Sequence, residues 1–329
     1  MGSRVMVLGA TGSVGRQVCA AFADRGADVV AVARRPAEHL SGYGFLPLDV
    51  TATEPARLAA LLRDHRADVV VNAAGRWGPT EAEMIHSHEA LVARLLAALA
   101  LLPSPLRLVH LGSIHEYGPV PVGTAIDESV VPRPANAYAR TKLAGSRAVL
   151  DAARDGLVDA IVLRCTNMYG PHPPEETFLA ALVRQFRQAV PGEPIELTVA
   201  VARRDFVDVR DVADAVVLAA EAPAQSALGG ARGPVPGRVL NIGSGVAVDV
   251  RDLVSAVVAA AGFDLDRVRL RPGQVASQGG DWVEVDIRLA VAALGWRPTR
   301  DLTESVRAMW NAAEPAPSDL DPSSARRYR

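Results

Sequence analysis

The segment Arg4-Val5-Met6-Val7-Leu8-Gly9 is apolar at successive positions, without the alternation of a sheet face open to water, and predicts a fully buried strand. Ser13 to Arg25 then takes up helical spacing and stops at Gly26, and Asp28 to Ala33 supplies a second apolar run. The pattern recurs as a strand at Phe45 to Val50, a helix near Glu54 to His65 and a strand at Asp68 to Ala74. A helix through Ala90 to Leu101 and a strand at Arg107 to Gly112 continue it. Continuous apolar strands separated by helices predict a parallel sheet covered on both faces, an α/β, Rossmann-type doubly wound fold. Pro132 to Tyr138 reads as a proline-restricted loop before a helix through Lys142 to about Arg154, and Ala160 to Arg164 as a further strand. Beyond about Asn167 the elements shorten and Pro/Gly turns separate them, which predicts a smaller mixed α/β region on the carboxyl side.

The 329 residues are 49% hydrophobic but only 5% aromatic, so the core is aliphatic and large enough for one big unit or two coupled ones. Lysine plus arginine number 35 against 37 acidic residues, which leaves no global attraction for nucleic acid. Cys19 and Cys165 are too few for a disulfide framework or a cysteine-rich metal site, so a reducing compartment and no metal are expected. No secretory leader pattern and no apolar run of membrane-spanning length occur, and the expectation is a cytoplasmic protein without a membrane partner. Gln225 to Gly237 reads as an exposed connector and Pro315 to Arg329 as a polar tail, whose Arg326, Arg327 and Arg329 form a solvated end rather than a binding arm.

Candidate chemistry begins at Gly9-Ala10-Thr11-Gly12-Ser13-Val14-Gly15, at the first strand-to-helix junction. Glycines there leave room for a pyrophosphate, which the unpaired N–H groups of the helix start attract, so a dinucleotide site is expected. The spacing is GxxGxxG, not the commoner GxGxxG. An acidic residue at the end of strand two would hold the adenosine ribose of NAD. This chain has Arg34 and Arg35 instead, which suit the extra phosphate of NADP, although a solvated basic loop explains them as well. Asp49 and Val50, read as the end of strand three, are placed beside the adenine. Asn72, Ala73 and Ala74, before Gly75, are placed along the cofactor, with a turn Asn as the simpler account.

Tyr138 and Lys142 stand four residues apart, on one helix face. A lysine ammonium there stabilises phenolate, making the phenol an acid for a carbonyl oxygen or a base for an alcohol. Ser113 follows strand five and can donate to the same oxygen.

With these motifs the chain resembles the extended short-chain dehydrogenase/reductase family, in its nucleotide-sugar, NAD-dependent epimerase/dehydratase-like branch. The resemblance spans nearly the whole chain. It runs through Gly9 to Gly15, Asn72 to Gly75, Leu111 to Gly118, Tyr138 to Lys142, Leu163 to Pro171, Arg204 to Ala213, Asn241 to Gly245 and Leu294 to Pro298. It implies that Ser113, Tyr138 and Lys142 are catalytic, that Tyr138 and Lys142 also touch the cofactor, and that NADP(H) is bound. It further implies a nucleoside-diphosphate sugar substrate approached by Asn167, Arg204 and Arg271, with a turn Asn and solvated arginines as the plain alternatives. Homodimers through the helices at Ala90–Leu101 and Tyr138–Arg154 are implied as well. The expected organisation is a dinucleotide-binding region over 1–166, a substrate region over 167–314 with segments returning to the first, and a tail over 315–329.

Three departures narrow the chemistry. Ile114 and His115 stand where sugar dehydratases of the family carry an Asp-Glu pair, so water elimination is poorly supplied. His115 is then a substrate contact or a structural histidine. His88 occupies a position where relatives often carry Asn, and Asp208 one where they carry His before Val. The reading that results is NADPH-dependent reduction of the C4 ketone of a 4-keto-6-deoxyhexose, resembling the dTDP-sugar 4-ketoreductases. A nucleotide-sugar 4-epimerase that recycles its nicotinamide is the alternative, and a non-catalytic nucleotide sensor fits the intact Ser113, Tyr138 and Lys142 least.

Overall fold

The computed structural model describes residues 3–75, 77–189, 194–223, 238–273 and 280–313. The expected connector at 225–237 and the tail from 315 lie outside the described residues. Elements follow in chain order: β1 (Arg4–Leu8), α1 (Ser13–Asp24), β2 (Asp28–Ala33), β3 (Gly44–Pro47), α2 (Pro55–Asp64), β4 (Val69–Asn72), α3 (Glu81–Ile85), α4 (Leu91–Leu99), β5 (Arg107–Ser113), α5 (Ala137–Arg154) and β6 (Asp159–Cys165). The carboxyl half holds β7 (Asn167–Tyr169), α6 (Phe178–Gln188), β8 (Ile195–Ala200), β9 (Arg203–Asp208), α7 (Val209–Glu221), β10 (Arg238–Ile242), β11 (Ala247–Asp249) and α8 (Val250–Ala260). It ends with β12 (Val268–Gly273), β13 (Trp282–Val283), α9 (Arg288–Leu294) and α10 (Leu302–Ala312).

Seven strands form one sheet in the order β10-β6-β5-β4-β1-β2-β3, every neighbouring pair parallel. The strands are apolar at consecutive positions because both faces are covered. Val5 and Val7 of β1 enter a core with Val18 and Phe22 of α1 and Val212 and Val216 of α7, whereas Met6 and Leu8 enter another with Leu58 of α2, Val92 of α4 and Val149 of α5. Strand order reverses between β1 and β4, and the crevice outside their carboxyl ends is where doubly wound sheets bind ligands.

Several predicted boundaries move. The third strand ends at Pro47 rather than Val50, since the Asp49 carboxylate folds the chain into a turn by accepting from Thr51 N at 3.0 Å and Thr51 Oγ1 at 2.6 Å. The strand placed at Asp68 to Ala74 stops at Asn72. Tyr138, assigned above to the end of a loop, lies in the first turn of α5, because Asn136 Oδ1 caps that helix by accepting from Ala139 N at 2.9 Å. A π turn, His86–Ala90, joins α3 to α4.

The carboxyl half packs β7, β9, β11 and β13 into a small mixed sheet beside the β8–β12 pair, over a core of Leu182, Phe186, Val254, Val257 and Met309. Two buried aspartates tie its segments together. Asp205 accepts from Ser244 N at 2.6 Å, Ser244 Oγ at 2.8 Å, Gly245 N at 2.9 Å and Val285 N at 3.3 Å. Asp211 accepts from Thr299 Oγ1 at 2.8 Å and Arg300 Nη1 at 2.6 Å, while its carbonyl receives Trp296 Nε1 at 2.9 Å. Among the described residues, no helix is long and apolar enough to cross a membrane.

Candidate active site

The glycine loop is shaped by close approach. Gly9 has φ 78°, and a Cβ there would lie 2.7 Å from Ala74 Cα; at Gly15 it would lie 2.2 Å from the Gly9 carbonyl oxygen. Gly12 precedes α1 without a side-chain cap, so the first-turn amides around Ser13 and Val14 have no competing side-chain acceptor from that position. Exposed Thr11 borders them. This cradle fits a dinucleotide pyrophosphate. Sequence reasoning missed two groups beside it: Arg16 Nη2 donates to His39 Nδ1 at 2.7 Å, and His39 Nε2 lies 3.4 Å from Ala10 O. Arginine has only donors, so His39 Nδ1 is the acceptor and the ring is neutral, in keeping with a pKa lowered chiefly by burial.

Arg34 and Arg35 are exposed just past β2. The Thr51 hydroxyl, the N–H groups of Ala52 and Thr51 and the charge of Arg34 hold Asp49 below the usual carboxylate range against its partial burial. Val50 points into the core instead of the crevice. Asn72 is buried, with Nδ2 on His110 Nδ1 at 3.0 Å and Oδ1 accepting from Ala74 N at 3.2 Å. Its amide therefore shapes the Ala73–Ala74 turn that abuts Gly9.

The carboxyl end of β5 meets the start of α5 at the switch-point side of the sheet. Ser113 is the last residue of β5, and its hydroxyl hydrogen-bonds the Tyr138 phenol. Burial pushes Tyr138 up to about 12, with the Ser113 bond opposing it. Lys142, one helical turn on, is buried and donates Nζ to Leu111 O at 2.5 Å. Burial lowers its pKa and the Glu116 carboxylate raises it. Trp77 stacks on the Tyr138 ring with centroids 4.8 Å apart, and His88 and His115 stand edge-on to it at 5.4 and 6.0 Å. A phenol with a hydroxyl donor and a buried ammonium close behind it can pass a proton to or from an oxygen brought between Ser113 and Tyr138.

Glu116 is the largest omission of the sequence reading. Its Oε1 accepts from Ser113 N and from Ser146 Oγ, both at 2.8 Å, and its Oε2 from Arg164 Nε at 2.7 Å. The S-x-x-E spacing of Ser113 and Glu116 is a readable capping-box signal, and both of its hydrogen bonds form.

On the carboxyl side, His115 and Arg204 share an electrostatic environment: burial and then the Arg204 charge push His115 down to about 4. Arg204 Nη2 donates to Gly280 O at 2.9 Å and Asn167 Nδ2 to Asp205 O at 3.0 Å. Arg271 stands elsewhere, exposed on β12 and bonded to Glu196 Oε1 at 2.9 Å. Asp208, where the family pattern has histidine, caps α7, taking Arg210 N at 2.7 Å and gripping the Arg210 guanidinium with both oxygens. Cys19 and Cys165 are free, with thiols pushed up to about 12 by burial. Among the described residues, no group of three or more His, Cys, Asp or Glu is placed to hold a metal.

Residues 5–243 match the family described as NAD dependent epimerase/dehydratase. The chain is 38% identical over 320 residues to dTDP-6-deoxy-L-talose 4-dehydrogenase (NAD(P)(+)) of Kitasatospora kifunensis, which covers 96% of this chain and 97% of that protein. It is 26% identical to UDP-glucose 4-epimerase of Rhizobium leguminosarum bv. trifolii, over 94% of this chain and 97% of that one. Among solved structures, MoeE5 in complex with UDP-glucuronic acid and NAD superposes with a TM-score of 0.80 at 26% identity, covering 94% of this chain and 98% of that one.

Proposed function

The chain belongs to the NAD dependent epimerase/dehydratase family, and we propose that it reduces the C4 ketone of a nucleoside-diphosphate 4-keto-6-deoxyhexose, with thymidine diphosphate as carrier and NADPH as preferred reductant. The coarser reading, an NAD(P)-dependent oxidoreductase acting on a nucleotide sugar at or near C4, has the support of all three relatives described above. One observation carries the finer reading: the full-length likeness to an NAD(P)-dependent dTDP-6-deoxyhexose 4-dehydrogenase, whose reaction reversed is ketone reduction.

The cofactor, when bound, supplies hydride to C4. The glycine loop from Gly9 to Gly15 and the Ala73–Ala74 turn hold its pyrophosphate side, and Arg34 and Arg35 favour a phosphate on its ribose. Tyr138 gives its proton to O4 as the alkoxide develops, Ser113 donates a hydrogen bond to the same oxygen, and the Lys142 ammonium stabilises the phenolate left behind. His115, Asn167 and Arg204 would face the substrate, whereas Arg271, paired with Glu196 on β12, stands apart from them and is left out of the site. On this reading the region over 1–166 mainly serves the cofactor and 167–314 mainly the sugar nucleotide, with β10 returning to the cofactor sheet. We further propose a cytoplasmic homodimer through α4 and α5, to be checked by sedimentation.

A 4-epimerase is the second reading, favoured by the full-length likeness to UDP-glucose 4-epimerase and by the NAD held in MoeE5. There Tyr138 would start as the base that takes the O4 proton and would later return it, and a retained oxidised nicotinamide would supply reversible hydride exchange at C4. Purified protein incubated with a dTDP-4-keto-6-deoxyhexose and NADPH or NADH separates the two. Stoichiometric NADPH loss with a new C4 alcohol by NMR supports reduction. Unchanged cofactor together with C4 inversion of an intact nucleotide sugar overturns it in favour of epimerisation.

A further inference from the structure

We propose that Arg16, His39 and His172 form a clamp for a phosphate of the bound dinucleotide, one that closes with uptake of a proton; this rests on the dinucleotide site described above and not on the sugar chemistry. The three residues come from separate parts of the chain. Arg16 lies in the first turn of α1, next to Gly15, and His39 in the connection from β2 to β3, while His172 follows β7 in the carboxyl half.

Arg16 and His39 are half-buried at the glycine loop, where Nη2 of the one donates to Nδ1 of the other at 2.7 Å and His39 Nε2 stands 3.4 Å from Ala10 O. Among the described residues, no carboxylate offsets the burial of Arg16, which lowers its pKa. His172 is exposed and holds a left-handed backbone, φ 56°, a conformation uncommon for any residue with a Cβ. Strain of this kind gathers at ligand clamps. The charges of Arg16 and His39 both act on His172, so the three groups share one field.

The pairing of Arg16 with His39 is a resting arrangement. Arginine has only donors, so the neutral ring lends Nδ1 as acceptor and one guanidinium N–H is spent on it. A protonated His39 carries N–H on both nitrogens and accepts nothing, which releases Arg16 Nη2 and leaves two cationic donors side by side. Without an anion the neutral rings win. Burial comes first in lowering both histidines, and the Arg16 charge adds to it. A phosphate in the adjoining cradle reverses the balance, because a negative charge within about 4–6 Å favours the charged imidazole. The other charged groups of this corner are Glu38, exposed beside His39 in the chain, and Arg34 and Arg35, exposed earlier in the same connection.

Isothermal titration calorimetry of the full-length protein with NADH and with NADPH, each in two buffers of different ionisation enthalpy, counts the protons and needs no sugar. Uptake of about 0.5–1 proton per site at neutral pH is expected, because His39 is neutral in the free protein and charged in the complex. By linkage, Kd then rises about three- to tenfold for each pH unit above neutrality. Uptake with both cofactors assigns the clamp to their shared diphosphate, and uptake with NADPH alone assigns it to the ribose phosphate. Binding of both cofactors without uptake overturns the proposal, while the reduction proposed above stands or falls separately. His39→Gln keeps an acceptor for Arg16 but takes no proton, and it removes most of the uptake and of the pH slope. His172→Asn, tolerant of the left-handed backbone, removes a smaller share. Uptake undiminished in both folded variants places the proton elsewhere and overturns the proposal as well.

Discussion

Replacing Glu116 by Gln keeps the shape of the side chain and removes its charge. In the folded protein this carboxylate and Arg164 are 0% and 5% exposed, so neither can turn to water when the other is neutralised. Oε1 keeps its two donors if the amide oxygen takes that place, but the amide nitrogen then faces Arg164 Nε, donor against donor. Breaking a buried pair from one side costs about 3–5 kcal/mol. For a chain of this size, with total stability on the order of 5–15 kcal/mol, that is about a fifth or more of the margin. Urea unfolding followed by far-UV circular dichroism measures the change in midpoint. Adding Arg164→Met to Glu116→Gln removes the stranded cation, so the double variant recovers most of the loss, a coupling that the cycle isolates. Turning the amide the other way keeps Arg164 paired but sets its nitrogen against Ser113 N, so relief of the stranded cation loosens Ser113 against Tyr138 and lowers kcat. A single variant within about 1 kcal/mol of the parent, or a double variant as unstable as the single, refutes the reasoning.

Tyr138→Phe keeps the ring against Trp77 and removes only the phenolic oxygen, so kcat falls by about 10²–10⁴-fold while cofactor affinity, read by fluorescence titration, stays within about twofold. Arg34→Ala combined with Arg35→Ala raises the KM for NADPH by about tenfold relative to NADH, a modest factor because both side chains are exposed; an unchanged preference removes the case for NADPH. His115 is held down to about 4 in the fold from an ordinary 6.5, so the unfolded chain binds its proton first. The associated stability is present above 6.5 and is lost as pH falls toward 4, and His115→Gln therefore flattens the drop in urea midpoint on acidification between those values.

What could be read in advance follows the range of each interaction. The doubly wound sheet is legible because strands covered on both faces cannot hide their apolar runs, and because helix and strand periods differ locally. Tyr138 and Lys142 are legible as a pair for the same reason, four residues on one helix. Glu116 is half legible: its bond to Ser113 is a three-residue pattern, but its partner Arg164 lies 48 residues away on β6, where nothing local announces it. Arg16 with His39, 23 residues apart, and Asp205 with Ser244, 39 apart, are set only once the chain has closed. Asp208 shows the converse, a departure from the family pattern that is visible in the sequence and that local physics explains as a helix cap. His88 joins both kinds. Its departure from relatives is visible in the sequence, yet its partner Thr141, 53 residues away, reaches it only because α5 packs against the π turn. The residues proposed to act at C4, Ser113, Tyr138 and Lys142, thus sit on short local patterns, while Arg164, which pairs with Glu116 behind them, arrives from a distant strand. A change in Arg164 should accordingly reach Tyr138 through Glu116 before it alters the binding of either ligand.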